Sequence, residues 1–315
     1  MRGVAITSFG GPERLREMEV EEHPLTPDGV RIRVAAAGVN PVDVKIREGA
    51  QADSFPYFFP AVLGWDAAGV IEETGPAVVG FEVGDEVLAY CRKDFVGQGA
   101  YAERVAVPAR QVAHCAGMPA EEAAGLPLAG LTAYQSLTEA MELAGGETVL
   151  IRGASGGVGS FAVQIAASLG ARVVAVAGLE SEDFVRGLGA DEFIDYRSGA
   201  VAGDVTRAAG GTVDALLDLV GGEQLEAFAA LVRDGGRIVS TLEPVGPHRW
   251  AERSIRSRFL YVRPDGDQLA ELVGRRGRGE LQVRLSQVLP LGEAGRAHEL
   301  LEAGGVHGKL VLRAG

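Results

Sequence analysis

A glycine-rich turn at residues 153–159 has the residue types and spacing that can hold a phosphate group. It reads Gly-Ala-Ser-Gly-Gly-Val-Gly. Gly153 and Gly156 let the backbone turn tightly, and Gly157 lets backbone N–H groups approach an anion. Gly159 lets the following helix pack close to the preceding strand. A helix that starts at such a turn also offers unpaired N–H donors and the positive end of its dipole.

The elements around the turn have the order of a strand–turn–helix–strand unit. An apolar strand at Thr148–Ile151 precedes the turn, and a helix follows it and stops at Gly170. A second apolar strand covers Arg172–Ala177. A unit of about 30 residues in this order is expected of a dinucleotide site. The alternative is a glycine-rich turn that binds nothing, and the complete unit favours the dinucleotide.

Composition limits the classes of protein that the chain can belong to. Its 315 residues, 47% of them hydrophobic, are enough for two domains and a large core. The net charge of −13 argues against a nucleic-acid partner. No apolar run is long enough for a membrane span and no secretion signal is present, so we expect a cytoplasmic protein without a membrane partner. Cys91 and Cys115 form neither a disulfide framework nor a metal-ligand pattern.

The apolar pattern divides the chain into three parts. The first is β-rich, with short segments between Gly, Pro and Asp turns at Val4–Ile6, Val30–Ala36, Ala67–Thr74, Glu86–Ala89 and Ala102–Val107. From about Pro119 helices alternate with strands, which predicts a parallel sheet covered by helices. The helices are Ala120–Gly125 and Leu131–Glu139, and the later strands are Glu192–Ile194, Val213–Leu219, Gly236–Ser240 and Phe259–Val262. The last part has strands at Val283–Leu291 and Lys309–Leu312 around a helix at Glu293–Ala303, and we expect it to rejoin the first domain.

Several motifs occur in a fixed order around the glycine turn. They are Ala36-Ala-Gly-Val-Asn-Pro-Val-Asp-Val-Lys-Ile-Arg47, Leu63-Gly-Trp-Asp-Ala-Ala-Gly-Val70, Gly99-Ala-Tyr-Ala-Glu103, Leu131-Thr-Ala-Tyr134, and Leu188-Gly-Ala-Asp191 leading to Ile194-Asp-Tyr-Arg197. Together they resemble the medium-chain dehydrogenase/reductase superfamily, and within it the zinc-independent quinone and enone oxidoreductases. The resemblance covers essentially the whole chain. It implies an α/β protein with a GroES-like β-rich catalytic domain (1–117), a Rossmann domain with a doubly wound parallel sheet (118–264), and a C-terminal return to the catalytic domain (265–315).

The absence of zinc ligands selects the expected chemistry. Zinc alcohol dehydrogenases of this superfamily carry a cysteine where this chain has Asn40 and a histidine where it has Trp65, so we predict no metal. Without a Lewis acid, reduction of an isolated ketone loses its main stabilisation of the alkoxide. A conjugated carbonyl is easier to reduce because the charge spreads into an enolate that hydrogen-bond donors can stabilise. We therefore expect hydride transfer from NAD(P)H to a quinone or α,β-unsaturated carbonyl.

Two other functions share the same motifs. One is a dedicated enoyl reductase of a biosynthetic, polyketide-like pathway, acting on an enoyl substrate. The other is an NADPH-binding interaction or redox-sensing protein with little turnover. The glycine turn is compatible with all three.

Asn40 and Lys45 are the candidate catalytic residues, for the carbonyl or ribose end of the site. Lys45 is one of only three lysines in the chain. Alternatively, Asn40 satisfies the turn backbone before Pro41, and Lys45 is a surface lysine. In relatives the Lys45 position is often a tyrosine. We expect Asp43 to hold the turn or pair with Lys45, and Tyr101 to be structural.

An aromatic run and a tryptophan form the predicted substrate wall. The run, Phe55-Pro-Tyr-Phe-Phe-Pro60, is expected to lie in one loop. A wall for a flat or apolar substrate and ordinary packing between domains are equally open interpretations. The predicted substrate residues are Phe55, Tyr57, Phe58 and Trp65.

The remaining predictions concern the cofactor and the oligomer. The predicted cofactor-binding residues are Thr132, Gly153, Ala154, Ser155, Gly156, Gly157, Val158, Gly178, Tyr196, Val220 and Ser240. Thr132 could instead start a helix. Gly178 ends the second strand without the carboxylate that binds an NAD ribose, which favours NADP(H), whereas the acidic stretch 180–183 leaves NAD(H) open. Arg197, or an arginine of 253–263, could contact the phosphate, and family analogy predicts a homodimer paired through Phe259–Val262.

Overall fold

The computed structural model describes residues 1–315, which contacts divide into two units. Unit 1 comprises Met1–Leu131, Arg263–Gly277 and Val283–Gly315, and unit 2 comprises Thr132–Val262 and Arg278–Gln282. The strands are β1 Arg2–Ile6, β2 Arg16–Glu19, β3 Gly29–Val39, β4 Tyr57–Val62, β5 Asp66–Thr74, β6 Glu86–Tyr90, β7 Val96–Gln98, β8 Arg104–Pro108, β9 Val112–His114, β10 Thr148–Arg152, β11 Arg172–Ala177, β12 Glu192–Asp195, β13 Val213–Asp218, β14 Val232–Ser240, β15 Arg256–Phe259, β16 Leu285–Pro290 and β17 Lys309–Arg313.

Nine α-helices connect these strands. They are α1 Pro41–Arg47, α2 Ala120–Gly125, α3 Pro127–Tyr134, α4 Gly157–Ser168, α5 Glu182–Gly187, α6 Val201–Ala209, α7 Leu225–Ala229, α8 Gly266–Gly277 and α9 Ala294–Ala303. The helix predicted at Leu131–Glu139 begins earlier, at Pro127, and continues beyond α3 as a π-helix at Gln135–Ala140. Proline suits a first helical position because its missing N–H would be unpaired there. None of the helices combines the length and the apolarity that a membrane crossing needs.

Unit 2 contains one parallel sheet of six strands in the order β12-β11-β10-β13-β14-β15. This is the doubly wound order, and it confirms the parallel sheet that the sequence predicts. The order reverses between β10 and β13, where such sheets bind their ligands beyond the carboxyl ends of the strands. The apolar residues of β10 and β13 are buried, as expected where both faces of a parallel sheet are covered.

The edge strand of this sheet differs from the prediction. The strand expected at Phe259–Val262 is β15 at Arg256–Phe259, which pairs with Arg237–Ser240 of β14. The sequence concealed it because Arg256 and Arg258 interrupt the apolar pattern. Edge strands commonly carry such exposed charged residues.

Unit 1 contains two sheets. The larger follows the order β16-β17-β3-β5-β6-β9, with β8 also paired to β3. The smaller has the order β2-β1-β4-β7. Four residues of the aromatic run predicted to form a loop, Tyr57 to Pro60, belong to β4. Tyr57 pairs with Val96 of β7, and the end of β4 pairs with β1. Pro60 obscured this strand in the sequence, since proline interrupts a strand pattern.

The strand β17 returns the C-terminal segment to the larger sheet, where it lies between β16 and β3. It pairs antiparallel with the end of β3, so that Leu310 lies opposite Val39. This pairing places Lys309 beside Asn40, the residue that follows β3.

A β-bulge in β3 imposes a glycine on β5. Val34 and Ala36 pair with Gly69 and Ala68, which leaves Ala35 as the extra residue. A Cβ at Gly69 would lie 1.9 Å from the carbonyl oxygen of Arg33. Because backbone cannot move as a flexible side chain can, position 69 accepts only glycine.

We expect Gly69→Ala to lower the free energy of unfolding by about 1–3 kcal/mol, the usual cost of overpacking. Gly277→Ala, in the same unit, is the matched control because a Cβ there meets nothing within 4 Å. Urea unfolding followed by circular dichroism compares the two variants. Equal stability of the two would contradict the bulge argument.

Candidate functional site

The glycine turn follows β10, at the edge where the sheet order reverses. Gly153 has φ +80°, a conformation that favours glycine. A Cβ on Gly159 would lie 2.2 Å from the Gly153 carbonyl oxygen, so close packing requires glycine there as well. Gly156 is the N-cap of α4, and the N–H groups of Gly157 and Val158 are the first of that helix. The helix itself cannot pair those N–H groups, so the turn fits a pyrophosphate.

A buried carboxylate organises the neighbouring strand ends. Asp218, the last residue of β13, accepts hydrogen bonds from Arg152 Nη1 at 2.7 Å and Gly221 N–H at 3.0 Å. The Ser240 hydroxyl donates to the same carboxylate at 3.2 Å. The guanidinium of Arg152 also stacks 4.1 Å from the ring centroid of Phe228. This ion pair therefore connects the ends of β10, β13 and β14.

Three predicted cofactor residues differ in their exposure. Ser240 is buried, and its hydroxyl oxygen also accepts the Glu243 N–H at 3.0 Å. Val220 follows β13 and is half exposed. Thr132 is buried at the sixth position of α3, which excludes the alternative that it starts a helix.

The end of β11 places a guanidinium beside Gly178. A Cβ on Gly178 would lie 2.4 Å from Arg197 Nη2. Arg197 forms an ion pair with Glu180, and its Nε lies 3.6 Å from Asp195 Oδ1. The same guanidinium lies 4.9 Å from the ring centroid of Tyr196, which is half exposed. The structure thus brings together three of the residues that the sequence associated with the adenosine phosphate.

In unit 1, Asn40 belongs to a buried polar centre. Its Nδ2 donates to Asp66 Oδ2 at 2.8 Å, and its Oδ1 accepts from the ammonium of Lys309. Lys309 Nζ also donates to the Val39 carbonyl at 3.1 Å and lies 3.6 Å from Asp66 Oδ2. The other oxygen of Asp66 accepts the Leu128 N–H at 2.8 Å. Both atoms of the Asn40 carboxamide are therefore held by a buried ion pair.

Burial shifts the protonation equilibria of this ion pair in opposite senses. Loss of water raises the pKa of Asp66 and lowers the pKa of Lys309, and their mutual attraction partly offsets both shifts.

Sequence reasoning missed Lys309. The available signal was its position, because Lys309 is one of only three lysines in the chain and directly precedes three apolar residues of the strand.

The residues at this centre do not fit a zinc ion. Lys309 places an ammonium against Asn40 and Asp66, where a divalent cation would meet like charge. Trp65 is buried and packs edge-on against Tyr90 with ring centroids 6.2 Å apart. No group of three or more His, Cys, Asp or Glu side chains is arranged to hold a metal.

Lys45 and Asp43 lie on α1 but have different surroundings. Lys45 is half buried, and its ammonium forms no ion pair or hydrogen bond. Asp43 is buried and does not pair with Lys45. Its Oδ2 accepts the Asn40 N–H at 2.8 Å and the Tyr101 hydroxyl at 3.1 Å. Asp43 therefore holds the turn, and Tyr101 supports it.

Residues of the aromatic run pack against rings within the run and outside it. Phe55 packs edge-on against Trp65 at 5.9 Å between centroids, and Tyr57 against Phe9 at 5.0 Å. Phe58 instead packs against Phe95 at 5.5 Å. Each of the four predicted substrate residues therefore has an aromatic neighbour in unit 1.

Asp43 makes the stability of the protein depend on pH. Burial is the main reason that its pKa rises from 3.8 to about 7, and its Oδ1 has no hydrogen-bond partner. Between pH 4 and 7 the folded state holds a proton that the unfolded state has released. The stabilisation from this group is therefore complete below pH 4 and is lost as the pH rises through 7, by about 1.4 kcal/mol per pH unit.

We expect Asp43→Asn to remove this contribution. The difference in unfolding free energy between the native protein and the variant should shift in favour of the variant from pH 4.5 to 8. Urea unfolding at intervals of pH measures the difference and cancels the other titrating groups. Parallel pH profiles would contradict the raised pKa.

Two family models match the chain. The model described as alcohol dehydrogenase GroES-like domain matches residues 26–119, and the model described as zinc-binding dehydrogenase matches residues 188–312. The first match confirms the predicted GroES-like domain. A quinone oxidoreductase of Pseudomonas aeruginosa is 34% identical, and the match covers 98% of both chains.

Solved structures with related folds cover nearly the whole chain. The Escherichia coli quinone oxidoreductase complexed with NADPH has a TM-score of 0.89 at 26% identity, over 99% of this chain and 100% of that one. An NAD-dependent alcohol dehydrogenase has a TM-score of 0.90 at 32% identity over 100% of both chains. The CurK enoyl reductase has a TM-score of 0.88 at 26% identity, over 100% of this chain and 99% of that one. The glycine turn, the GroES-like unit and these relatives together show that the chain belongs to the quinone oxidoreductase family of the medium-chain dehydrogenase/reductases.

Proposed function

We propose that this chain is a zinc-independent, NADP(H)-dependent reductase of quinones or α,β-unsaturated carbonyl compounds. The observation that carries the proposal is the ammonium of Lys309 at the Asn40 centre, where a zinc ion does not fit. Without a Lewis acid, the favoured acceptor is one whose developing negative charge is delocalised.

The residues of the chain would bind the cofactor and stabilise the substrate oxygen. Bound NADPH supplies the hydride. The turn Gly153, Ala154, Ser155, Gly156, Gly157 and Val158 would hold the pyrophosphate through backbone N–H groups. The Lys45 ammonium would donate a hydrogen bond to the carbonyl oxygen or the ribose, because its donors have no partner in the protein. Asn40 would contribute through a carboxamide whose orientation Asp66 and Lys309 fix.

The proposed preference for NADP(H) rests on Gly178 and Arg197. Gly178 carries no side chain at the end of β11, and both Arg197 Nη2 and Glu180 Oε1 lie 2.4 Å from where its Cβ would be. A 2′-phosphate there could replace Glu180 as the partner of the guanidinium, and Arg–phosphate pairs are strong because they are bidentate. Glu180, whose charge argues against NADP(H) in the sequence, would then be displaced from Arg197 by the phosphate.

We expect Arg197→Gln to weaken NADPH binding about tenfold, which corresponds to about 1.4 kcal/mol, and to leave NADH binding unchanged. Glu180→Gln should tighten NADPH binding because it frees the guanidinium. Arg186→Gln is the control, since Arg186 pairs with Glu182 rather than with a residue beside Gly178. Fluorescence titration measures all three variants. A native preference for NADH above tenfold would overturn the cofactor proposal.

An oxidation assay with NADPH over quinones, enones and enoyl thioesters tests the reaction itself. Turnover of quinones and enones supports the main proposal. Exclusive turnover of thioesters would replace it with the enoyl reductase alternative, which the similarity to CurK favours. Tight cofactor binding without any turnover would favour an interaction or redox-sensing role.

We also propose a homodimer and a cytoplasmic location. β15 is the outer strand of the six-stranded sheet, and its open edge could pair with the same edge of a second copy. Light scattering coupled to size-exclusion chromatography measures the oligomeric state. Relatives include proteins named as chloroplastic and mitochondrial, so the location needs direct imaging in the cell.

A further inference from the structure

Unit 1 contains a cavity whose lining shares only Phe58 with the residues predicted to contact substrate. Its volume is about 600 Å³, and residues from β2, β3, β4, β7 and β8 line it. Neither Asn40, Lys45, Asp66 nor Lys309 is among the lining residues. We call it the Lys93 cavity, after the lysine that lines it together with Phe58, Phe95 and Gln98.

Lys93 brings an uncompensated positive charge to this cavity. Its Nζ donates to the Gln98 carbonyl at 2.9 Å and to Gln98 Oε1 at 3.2 Å, so one of its three donors is left over. No carboxylate lies within ion-pair distance of the ammonium. Burial lowers the pKa of Lys93 to about 8, and Cys91 is the one other titratable group that influences it.

The other strong cations that line the cavity already have carboxylate partners. Arg31 pairs with Glu22 and Glu73. Arg104 pairs with Glu72 at 2.8 Å. The N-terminal amine lies 3.4 Å from Glu19. Among the cations that line the cavity, Lys93 is therefore the one left to pair with an anion, and the lining also includes the carboxylates of Glu19 and Glu21.

Aromatic rings form the apolar part of the cavity. Phe58 and Phe95 pack edge-on with centroids 5.5 Å apart, and Lys93 Nζ lies 5.8 Å from the Phe95 centroid. Phe58 is 61% exposed, which is high for a phenylalanine and leaves ring surface available. Flat aromatic ligands gain most from such surfaces because their rings stack or pack edge-on.

We propose that the Lys93 cavity binds a small aromatic carboxylate, with its ring against Phe58 and Phe95 and its carboxylate on the Lys93 ammonium. A small aromatic ligand fits a cavity of about 600 Å³. The ion pair gains strength because the ammonium is already partly desolvated. This site is separate from the residues proposed for hydride transfer.

Binding of 1-naphthoate and of its neutral analogue 1-naphthalenemethanol tests the proposal by calorimetry on the full chain. We expect Lys93→Met to weaken naphthoate binding at least tenfold and to leave the alcohol unchanged. Phe58→Ala should weaken both probes because it removes ring contact. Lys45→Met is the matched control, since it removes a different lysine and should not change naphthoate binding.

The accessible lysines provide a second readout that does not depend on whether a variant folds. Reductive ¹³C-methylation keeps the charge and should give Lys45, Lys93 and the N-terminal amine separate NMR signals, whereas the buried Lys309 is protected. Naphthoate should shift the Lys93 signal selectively. A selective shift of Lys45, or loss of binding in Lys45→Met alone, would place the probe at the proposed active site and overturn the cavity proposal. Absence of saturable binding would overturn it as well. Neither result bears on the proposed reaction, which the NADPH oxidation assay tests separately.

Discussion

The ion pair between Lys309 and Asp66 is the interaction on which unit 1 depends. Both groups are almost completely buried, and each loses several kcal/mol of hydration on burial. Hydrogen bonds from Asn40 and Leu128 to Asp66, and from Lys309 to the Val39 carbonyl, offset part of this loss. The pair thus requires β3, β5 and β17 to be in register, because a displaced strand would leave a charge without its partner.

A second buried ion pair has a comparable role in unit 2. Arg152 and Asp218 join the ends of the two strands between which the sheet order reverses. Asp218 also fixes Gly221 and Ser240, so the loops beyond these strands start from defined positions. In each unit a buried ion pair therefore holds a candidate residue in place: Asn40 in unit 1 and Ser240 in unit 2.

Local patterns in the sequence predicted the architecture well. The glycine turn, the strands around it and the parallel sheet follow from glycine spacing and apolar periodicity, which are short-range properties. The edge strand β15 and the strand β4 were harder to recognise, because arginines and a proline interrupt their patterns. Periodicity detects an element only when one whole face is apolar.

The candidate site was less predictable because its contacts join residues far apart in the chain. Asn40 was singled out by its motif, but its partner Lys309 lies 269 residues away and carries no motif of its own. A pair between Asp43 and Lys45 is one prediction from the sequence. In the structure the Asp43 carboxylate instead accepts hydrogen bonds from the Asn40 N–H and the Tyr101 hydroxyl. A helical spacing indicates proximity but not the direction in which a side chain points.

The pairing of β17 with β3 has a consequence for how the protein forms. Both segments of unit 2, Thr132–Val262 and Arg278–Gln282, lie in the sequence between these two strands, so unit 2 is inserted in the chain of unit 1. Asp66 is synthesised early, but Lys309, which neutralises its charge, is synthesised after all six strands of the parallel sheet. Unit 2 can fold as soon as it is made, whereas unit 1 must close a loop that contains it. The order of synthesis therefore completes the polar centre of unit 1 only after the chain of unit 2 has been made.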